Sequence, residues 1–505
     1  IPDELADQNC ATMGVEKLLQ ELNSILGTAY TLETPSLRDI LEACIKKELE
    51  FGTAYGHLRP RWLLDFTKFE SYMTGYEADD TAAREKALQG DHIINPRLPP
   101  RRRQMWAVSH SWMAPPQRQY VWTAVNARQW SVPIPDDVSL AQIRIELLNL
   151  GAEYVWLDVL CLRQNGRDAD EEALRAAEWT LDVPTIGHVY HQGANQPVIC
   201  YYSGLGRPFT VEAGVLAGER HWMNRAWTLQ ENREQSIVAG ITNASPPFPP
   251  DEFEGDTEVA RFARLLSNLP YEHPTNIFIA LQAMQKRASV NPVDKIAGLA
   301  YVLQCNPLPV YKTTETDEDA WARLIECLPA RYRGDILFQY PECGDGRLNW
   351  APSWTQVLEN TLPKGGGVYI AQDVTYAREH TQYRYRGYVI RGSALKGFEG
   401  ALDPSPGNSK RTGQLAIQPA MPQSNGLSFD MVALHKTPIP DGQYTLISGR
   451  GMGHLEYWVV AKDKVALLEG VLLVEKVSVL RASSPTVERA IGESHLGEDM
   501  DIVLR

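Results

Sequence analysis

The chain contains 505 residues, 44% of them hydrophobic and 22% charged, and its formal net charge is −14. That length exceeds what one hydrophobic core organises, so we expect two or three domains. The acidic balance argues against a nucleic-acid partner, because a general nucleic-acid binder needs a basic face.

Targeting and redox features are those of a cytoplasmic protein. No apolar run reaches the ~18 residues that a membrane-spanning helix requires, and no signal peptide opens the chain. The seven cysteines are scattered and show no C-x-x-C spacing, which is typical of free thiols in a reducing compartment. We therefore expect a cytoplasmic protein with no membrane partner.

Residues 1–100 are predicted to form a helical N-terminal region. One apolar stripe at helical spacing runs between residues 13 and 26, and a second runs from Leu37 to Ile45. Ser36 and Asp39 resemble an N-terminal cap for the second helix. The region is expected to contain two amphipathic helices.

From Met105 the pattern changes to strands that alternate with helices. This alternation predicts a parallel, doubly wound α/β sheet over residues 101–245. A helix between the first two strands has a capping box, Ser139 with Gln142, and Gly151 provides its C-terminal stop. The strand candidates are residues 105–109, 153–158, 197–202 and 236–240.

Polar side chains stand where these strands end. Ser109 and His110 close the first strand, and Asp158 closes the second. In doubly wound sheets, ligands bind beyond the carboxyl ends of the strands. We therefore expect these side chains to share one edge of the sheet and to take part in a site.

The segment Arg225–Glu231, with the sequence RAWTLQE, is predicted to be helical. Asn224 is a favourable N-cap, and nothing up to Glu234 breaks a helix. Residues four apart share a helix face, so Trp227 and Glu231 should lie side by side. An indole partly desolvates a neighbouring carboxylate and raises its pKa, which is one way to build a catalytic acid.

The rest of the chain is predicted to be helical over 246–362 and rich in β-strands over 363–505. Helices are expected at about 256–286, 292–304 and 317–332, and a period of two begins near residue 366, which indicates a small antiparallel β domain. Residues 402–425, rich in Pro, Gly, Ser and Asn, are expected to form a long flexible loop within that domain.

Three segments together resemble signature blocks of the fungal heterokaryon-incompatibility (HET) domain. They are Trp106–Trp112 (WAVSHSW), Tyr154–Gln164 (YVWLDVLCLRQ) and Arg225–Glu231 (RAWTLQE). Two later segments, Asn291–Leu299 (NPVDKIAGL) and Trp350–Trp354 (WAPSW), resemble blocks that often follow the core of that family. The resemblance covers roughly residues 100–360, with the HET core at about 103–240.

The resemblance implies a fold, a role and a chemistry. The HET fold is similar to that of Toll/interleukin-receptor (TIR) domains, and family members trigger growth arrest or cell death when non-self is sensed. Some TIR domains cleave NAD at the nicotinamide–ribose bond with a glutamate on a helix beside the sheet. By that analogy Glu231 is the catalytic residue and NAD a substrate, with no resident cofactor or metal. The residues assigned to substrate binding are Ser109, His110, Trp112, Asp158, Arg225 and Trp227.

Each of these residues also has a structural interpretation. Glu231 either acts on the ribose or anchors its segment through an ion pair with an arginine. Asp158 either binds a ribose hydroxyl or holds Arg225, and His110 is either an acid or a satisfied core histidine. Trp112 and Trp227 either stack on a nucleobase or pack in the core.

Two positions depart from the HET pattern, and a second function stays open. Met113 replaces the glycine that commonly ends the first block, and Arg163 replaces the usual aspartate of the second. The alternative to an enzyme is a non-catalytic signalling module that acts by self-association or by recruiting other proteins. Under that alternative the same blocks are determinants of folding and of an interface.

Overall fold

The computed structural model describes residues 1–63, 82–94, 105–191, 197–243, 257–269, 273–364, 373–400, 410–417, 427–448, 457–467, 471–487 and 497–505, together with residues 75, 78, 245 and 248 and without residues 127, 153, 213, 235, 434, 436 and 485. The chain divides into two units. The first contains Ile1–Asn268 and Val310–Lys312, and the second contains Leu269–Pro309 and Thr313–Arg505. Within the described part of the chain, no helix has the length and apolar character needed to cross a bilayer.

Four helices open the first unit. They are α1 (Asp3–Ala6), α2 (Cys10–Leu26), α3 (Leu37–Lys46) and α4 (Phe51–Leu58). The apolar stripes of α2 and α3 are buried in one core, which confirms the two predicted amphipathic helices. The predicted cap at Ser36 is wrong, because Ser36 has a φ of 62° and its side chain makes no capping hydrogen bond. Burial of Leu37 and Ile40 fixes this end of α3 instead.

A parallel sheet of four strands follows in the first unit. In chain order, the strands of the first unit are β1 (Leu88–Gln89), β2 (His92–Ile93), β3 (Trp106–His110), β4 (Arg118–Val121), β5 (Val132–Pro135), β6 (Val155–Leu157), β7 (Val198–Tyr201) and β8 (Ser236–Val238). The order across the parallel sheet is β6-β3-β7-β8, and β4 and β5 form a separate antiparallel pair. All four predicted strands are confirmed. The carboxyl ends of β6, β3 and β7 therefore meet at one edge.

Five helices connect or follow these strands. They are α5 (Leu140–Asn149), α6 (Asp158–Cys161), α7 (Ala169–Asp182), α8 (Ile186–Tyr190) and α9 (Glu258–Ser267). Both hydrogen bonds of the predicted capping box between Ser139 and Gln142 are present at the start of α5. Gly151, with a φ of 91°, turns the chain after that helix. The core on this face of the sheet contains Val108, Leu157 and Ile199 from the strands and Ile143 and Leu147 from α5.

The helix predicted from Arg225 to Glu234 is wrong. Two short 3-10 turns, Trp222–Asn224 and Trp227–Leu229, stand there, and Arg225 between them is extended. The Thr228 hydroxyl bonds the carbonyl oxygens of Trp222 and Arg225, which ties the two turns together. Residues 228–232 are all buried. A helix on a sheet buries only one stripe, so continuous burial overrides the helical propensity of this segment.

The second unit begins with helices. They are α10 (Ile277–Gln285), α11 (Val293–Ala297), α12 (Asp317–Cys327), α13 (Ala330–Gln339) and α14 (Trp354–Glu359), and a short strand, β9 (Leu308–Pro309), precedes α12. The helix predicted over 317–332 is two helices, because Pro329 forces Leu328 out of the helical region, to a ψ of 148°. The range 256–286 likewise holds two helices, α9 and α10.

A large antiparallel sheet closes the chain and confirms the predicted β-rich region. Its strands are β10 (Thr375–Ala377), β11 (Gln382–Lys396), β12 (Arg411–Ile417), β13 (Leu427–Ala433), β14 (Gly442–Ser448), β15 (Tyr457–Leu467), β16 (Val471–Ala482) and β17 (Glu498–Leu504). All neighbours are antiparallel except β16 and β17. The pairing of β11 with β14 closes the sheet on itself around a core that includes Leu415, Leu446 and Trp458.

The loop predicted over 402–425 is wrong in part. β12 lies inside that range, and its Leu415 and Ile417 are buried in the core of the closed sheet. The buried residues of this segment alternate with more exposed ones, which is the period of a β-strand. The loop-like composition of the segment conceals this pattern. Residues 402–409 and 418–425 lie outside the described residues.

Two buried cations join the helices of the second unit to its strands. The Lys476 ammonium on β16 is 2% exposed and donates to the carbonyl oxygens of Tyr340 (2.8 Å), Ile336 and Trp350 (both 3.4 Å). Burial lowers the pKa of Lys476 to about 7. The second cation is Arg333 on α13, which is 6% exposed. Its Nη1 donates to the carbonyl oxygens of Ile325, Glu326 and Leu328, and its Nε donates to that of Val374.

Candidate functional site

The predicted polar residues meet at the carboxyl edge of the parallel sheet. Ser109 and His110 are the last residues of β3, and Asp158 begins α6 directly after β6. β3 pairs with β6 on one side and with β7 on the other. The hydrogen bond between His110 Nε2 and Asp158 Oδ1, at 2.8 Å, joins the ends of the two strands.

Glu231 is held by a buried serine at this edge. The Ser109 hydroxyl donates to Glu231 Oε2 at 2.5 Å, and the Trp222 indole N–H donates to Ser109 Oγ at 2.7 Å. Ser109 and Trp222 are completely buried. The indole thus occupies a lone pair of the hydroxyl and leaves its proton for the carboxylate, which fixes the orientation of Glu231.

The environment of Glu231 brings the pKa of its carboxyl group close to neutral pH. The residue is 8% exposed, and burial raises the pKa of its carboxyl to about 7. The charge of Asp158 also raises this pKa, whereas the hydrogen bond from Ser109 and the charge of Arg225 lower it. Within the described residues no cation forms an ion pair with Glu231, so the anchoring ion pair considered from the sequence is not what holds it. An oriented carboxyl group that titrates near pH 7 is suited to acid–base or nucleophilic chemistry.

The buried His110 and the partly buried Asp158 form an ion pair. His110 Nδ1 lies 3.1 Å from the Ser111 carbonyl oxygen, so both ring nitrogens face acceptors and both must carry a proton to bond them. Burial lowers the pKa of His110, but the charge and hydrogen bond of Asp158 raise it by more, and the net pKa lies above its ordinary value. Burial acts on Asp158 in the opposite sense, yet His110, the Trp112 indole and the Val159 amide bring its pKa below the ordinary value.

Trp112 is enclosed by cationic groups. Its ring stacks on His110 with the centroids 5.7 Å apart, and its Nε1 donates to Asp158 Oδ2 at 3.0 Å. The guanidinium carbons of Arg118 and Arg225 lie 4.8 and 5.7 Å from the indole centroid. The structure therefore uses Trp112 to position charged groups.

The helical pairing predicted for Trp227 and Glu231 is absent. With no α-helix in the segment, residues 227 and 231 do not share a helix face, and the Trp227 ring packs on Tyr311 with the centroids 6.0 Å apart. The tryptophan that reaches the hydrogen-bond partner of the carboxyl group is Trp222. No local pattern in the sequence marks Trp222, because its contact with Ser109 joins residues 113 positions apart.

Tyr190 is a second residue that no sequence pattern singles out. Its hydroxyl donates to the Val108 carbonyl oxygen at 3.0 Å, and burial followed by the charge of Glu231 raises the pKa of Tyr190 well above its ordinary value. It stays protonated and therefore serves as a hydrogen-bond donor to β3. His191, which follows it, bonds the Gln230 carbonyl oxygen at 3.0 Å.

The two departures from the HET pattern have structural explanations. Arg163 is 9% exposed, and its Nε pairs with Glu178 at 2.9 Å, so the reversed charge is neutralised locally. Met113 Sδ lies 3.6 Å from an Arg207 guanidinium nitrogen. A Cβ atom on Gly204 would approach that sulfur to 2.9 Å, so Met113 fills space beside a glycine. Among the described residues, no group of His, Cys, Asp and Glu side chains is arranged to hold a metal ion.

Ser109→Ala is expected to raise the pKa of Glu231 further, because the lost hydroxyl stabilises the ionised carboxylate. The titration of 13C-labelled glutamate side chains by NMR measures this change. Ser111→Ala is the matched control, since the Ser111 hydroxyl bonds the Tyr202 carbonyl oxygen at 2.7 Å and does not touch Glu231. An unchanged or lowered pKa in Ser109→Ala would show that the hydrogen bond does not tune the carboxyl group.

Comparisons with known proteins gave no match. No protein-family model matches the chain, no curated protein matches its sequence, and no solved structure matches its fold.

Proposed function

We propose that this protein is a HET-type effector of fungal non-self recognition and programmed cell death, with a TIR-like core that hydrolyses NAD or a related nucleotide at the N-glycosidic bond. The five signature-like segments motivate the family assignment. The proposal places its action in the cytoplasm, with a nucleotide as substrate and other protein chains or further copies as partners.

The strand order of the parallel sheet supports a TIR-like, flavodoxin-like core. If the strands are numbered along the chain, the order is 2-1-3-4. Doubly wound sheets of this order bind ligands at the carboxyl edge, at the point where the order reverses between strands 1 and 3. Strand 1 is β3, which carries Ser109 and His110. The candidate site therefore lies where this architecture favours a ligand.

The observation that carries the enzymatic proposal is the state of Glu231. Glu231 is buried, and the Ser109 hydroxyl orients its carboxyl group. The carboxyl group is about half ionised at neutral pH, and within the described residues no ion pair neutralises it. The neighbouring Gln230 is 2% exposed, and neither polar atom of its side chain has a hydrogen-bond partner. Buried polar groups are normally satisfied, so the unpartnered amide on the residue that precedes Glu231 leaves hydrogen-bonding groups for a polar ligand.

The chemistry follows from the bond that breaks. Cleavage of the C1′–N bond of NAD gives neutral nicotinamide, which takes the bonding electron pair, and an oxocarbenium-like ribose. The ionised Glu231 carboxylate stabilises this positive charge or attacks C1′, as carboxylates do in glycoside hydrolysis. Water then adds to C1′ and loses one proton, displacing the Glu231 carboxylate where a covalent bond to C1′ has formed, and the second product is ADP-ribose. The His110–Asp158 pair and Tyr190 hold the strand ends that position the carboxylate.

The test is nicotinamide release from NAD by the purified full-length chain, alone and under crowding, with Glu231→Gln measured in parallel. Turnover by the wild-type protein that disappears in a folded variant supports the proposal. Equal background rates in both proteins, including in assembled samples, would reject it.

A non-catalytic interaction module is the second candidate, and exposed side chains favour it. Tyr120 on β4, Trp122 and Val125 are 52%, 49% and 48% exposed. These three residues lie close together in the chain, and an exposed apolar patch often marks a protein interface. If this candidate is right, Trp122→Ser reduces self-association in sedimentation velocity, whereas Glu231→Gln leaves it unchanged.

A further inference from the structure

Within the described residues, three cationic groups lie around Trp112. The Arg118 and Arg225 guanidinium carbons lie 4.8 and 5.7 Å from the indole centroid, and the protonated His110 ring stacks on it. Asp158 is the acidic neighbour, and its two oxygens already accept from His110, from Trp112 and from the amide that follows it. These contacts bring three cationic groups together at this edge of the sheet.

Arg118 is the least compensated of these cations. Its Nε donates to the Met113 carbonyl oxygen at 2.6 Å, which holds one side of the guanidinium, and within the described residues it forms no ion pair. Burial and then the charge of Arg220 lower its pKa, although the neighbouring Tyr120 partly offsets them. A half-buried guanidinium beside another arginine is an unfavourable arrangement unless an anion neutralises it.

Other arginines of the same unit show the contrast. Each of the following pairs places a guanidinium against a carboxylate: Arg84–Asp182, Arg128–Glu50, Arg163–Glu178, Arg175–Glu172 and Arg207–Asp137. Arg118 differs from these five arginines in having no carboxylate partner among the described residues.

Arg225 links this cationic region to the candidate catalytic carboxyl group. Its charge lowers the pKa of Glu231, and its guanidinium lies against Trp112, which also contacts Arg118, Asp158 and His110. A phosphate group placed beside Trp112 would face both guanidiniums. The planar fork of a guanidinium matches two oxygens of a phosphate group.

We propose that Arg118, together with Arg225 and positioned by Trp112, binds the phosphate groups of the substrate, so that the site selects phosphorylated nucleotides over nucleosides. This inference rests on the proposed function for its orientation, since Glu231 marks the glycosidic end of the ligand. Trp112 then acts as a rigid platform for the arginines and leaves nucleobase recognition to other residues.

The test measures binding without turnover. Inorganic pyrophosphate, ADP-ribose and unphosphorylated ribose are titrated into the full-length protein by calorimetry at low and moderate salt. The wild-type protein is expected to bind the two phosphorylated probes, more weakly as salt rises, and to bind ribose at least tenfold more weakly than ADP-ribose. Arg118→Gln, which keeps a donor for the Met113 carbonyl but loses the charge, is expected to weaken pyrophosphate binding about tenfold or more.

A matched control separates the site from a general charge effect. Arg167 lies over the Trp122 ring at 5.7 Å and pairs with Glu171, so Arg167→Gln removes an equal charge from another arginine–tryptophan pair. It is expected to bind pyrophosphate like the wild-type protein. Unchanged melting temperatures of both variants confirm that they fold.

The outcomes distinguish this inference from the proposed function. Pyrophosphate binding that depends on Arg118 supports the phosphate subsite, and it does so even if NAD is not hydrolysed. Absence of pyrophosphate binding, or equal binding by Arg118→Gln, overturns the subsite, and nicotinamide release by the same samples would leave the hydrolase proposal standing.

Discussion

Glu231→Gln is expected to abolish nicotinamide release and also to make the protein more stable above pH 7. Loss of a positioned acid–base or nucleophilic group lowers a rate by ~10²-fold or more. The stability gain arises because burial raises the pKa of the Glu231 carboxyl from 4.5 to about 7. The folded protein therefore holds this proton at a pH where the unfolded chain has released it, and ionisation within the fold is unfavourable.

The stability difference between the wild-type protein and the Glu231→Gln variant depends on pH. Below about pH 4.5 both states are protonated, and the carboxyl group does not distinguish folded from unfolded protein. Between pH 4.5 and about 7 the wild-type protein loses stability relative to the variant, and above that range the difference is constant. A shift of this size corresponds to about 3 kcal/mol at most. The amide oxygen of the substituted glutamine still accepts the hydrogen bond from Ser109.

Urea unfolding of both proteins between pH 5 and 9 measures the difference. Glu146→Gln is the control, because Glu146 accepts from the Tyr201 hydroxyl and the Gly240 amide, both at 2.6 Å. That carboxylate is well satisfied, so its neutralisation is expected to lower stability. A Glu231→Gln protein that is less stable than the wild type at pH 8 would contradict the assignment of Glu231 as a strained functional group.

Arg333→Met is expected to lower the free energy of unfolding of the second unit by about 3 kcal/mol or more. The guanidinium donates to four carbonyl oxygens, three of them at the C-terminal end of α12, where backbone acceptors lack partners within the helix. Methionine fills similar space but leaves these buried acceptors unpaired. The cation also interacts favourably with the negative end of the α12 dipole.

Urea unfolding of Arg333→Met and Arg347→Met separates burial from charge. Arg347 is 60% exposed and pairs with Asp319 on the same helix, so its replacement is expected to change stability by less than about 0.5 kcal/mol. Arg333→Lys, which keeps the charge but offers one donor group in place of a fork, should fall between the two. Equal stabilities of the Arg333 and Arg347 variants would show that the carbonyl contacts contribute little.

The sequence predicts well those features that depend on residues close together in the chain. The four strands of the parallel sheet, the capping box at Ser139 and the amphipathic stripes of α2 and α3 are all local patterns, and the structure confirms them. The positions of Ser109, His110 and Asp158 follow as well, because the carboxyl ends of parallel strands share an edge.

The failures occur where tertiary contacts decide the outcome. The segment around Glu231 has good helical propensity, yet burial of residues 228–232 on all sides replaces the helix by short turns. The Trp227 ring packs on Tyr311, and the Trp222 indole bonds the Ser109 hydroxyl that holds the carboxyl group. β12 was concealed for a different reason, since its composition is that of a loop and only its place in the closed sheet buries it.

The ammonium of Lys476 restricts how the second unit can be divided or exchanged. Because it is held by carbonyl oxygens of residues 336, 340 and 350, the strand that bears it and the helical segment complete each other's hydrogen bonds. A cut between the helices and the closed sheet would leave the Lys476 ammonium without its acceptors on one fragment. The three carbonyl oxygens would lose their donor on the other. Chimeras of this protein should therefore transfer Leu269–Pro309 and Thr313–Arg505 as one inseparable block.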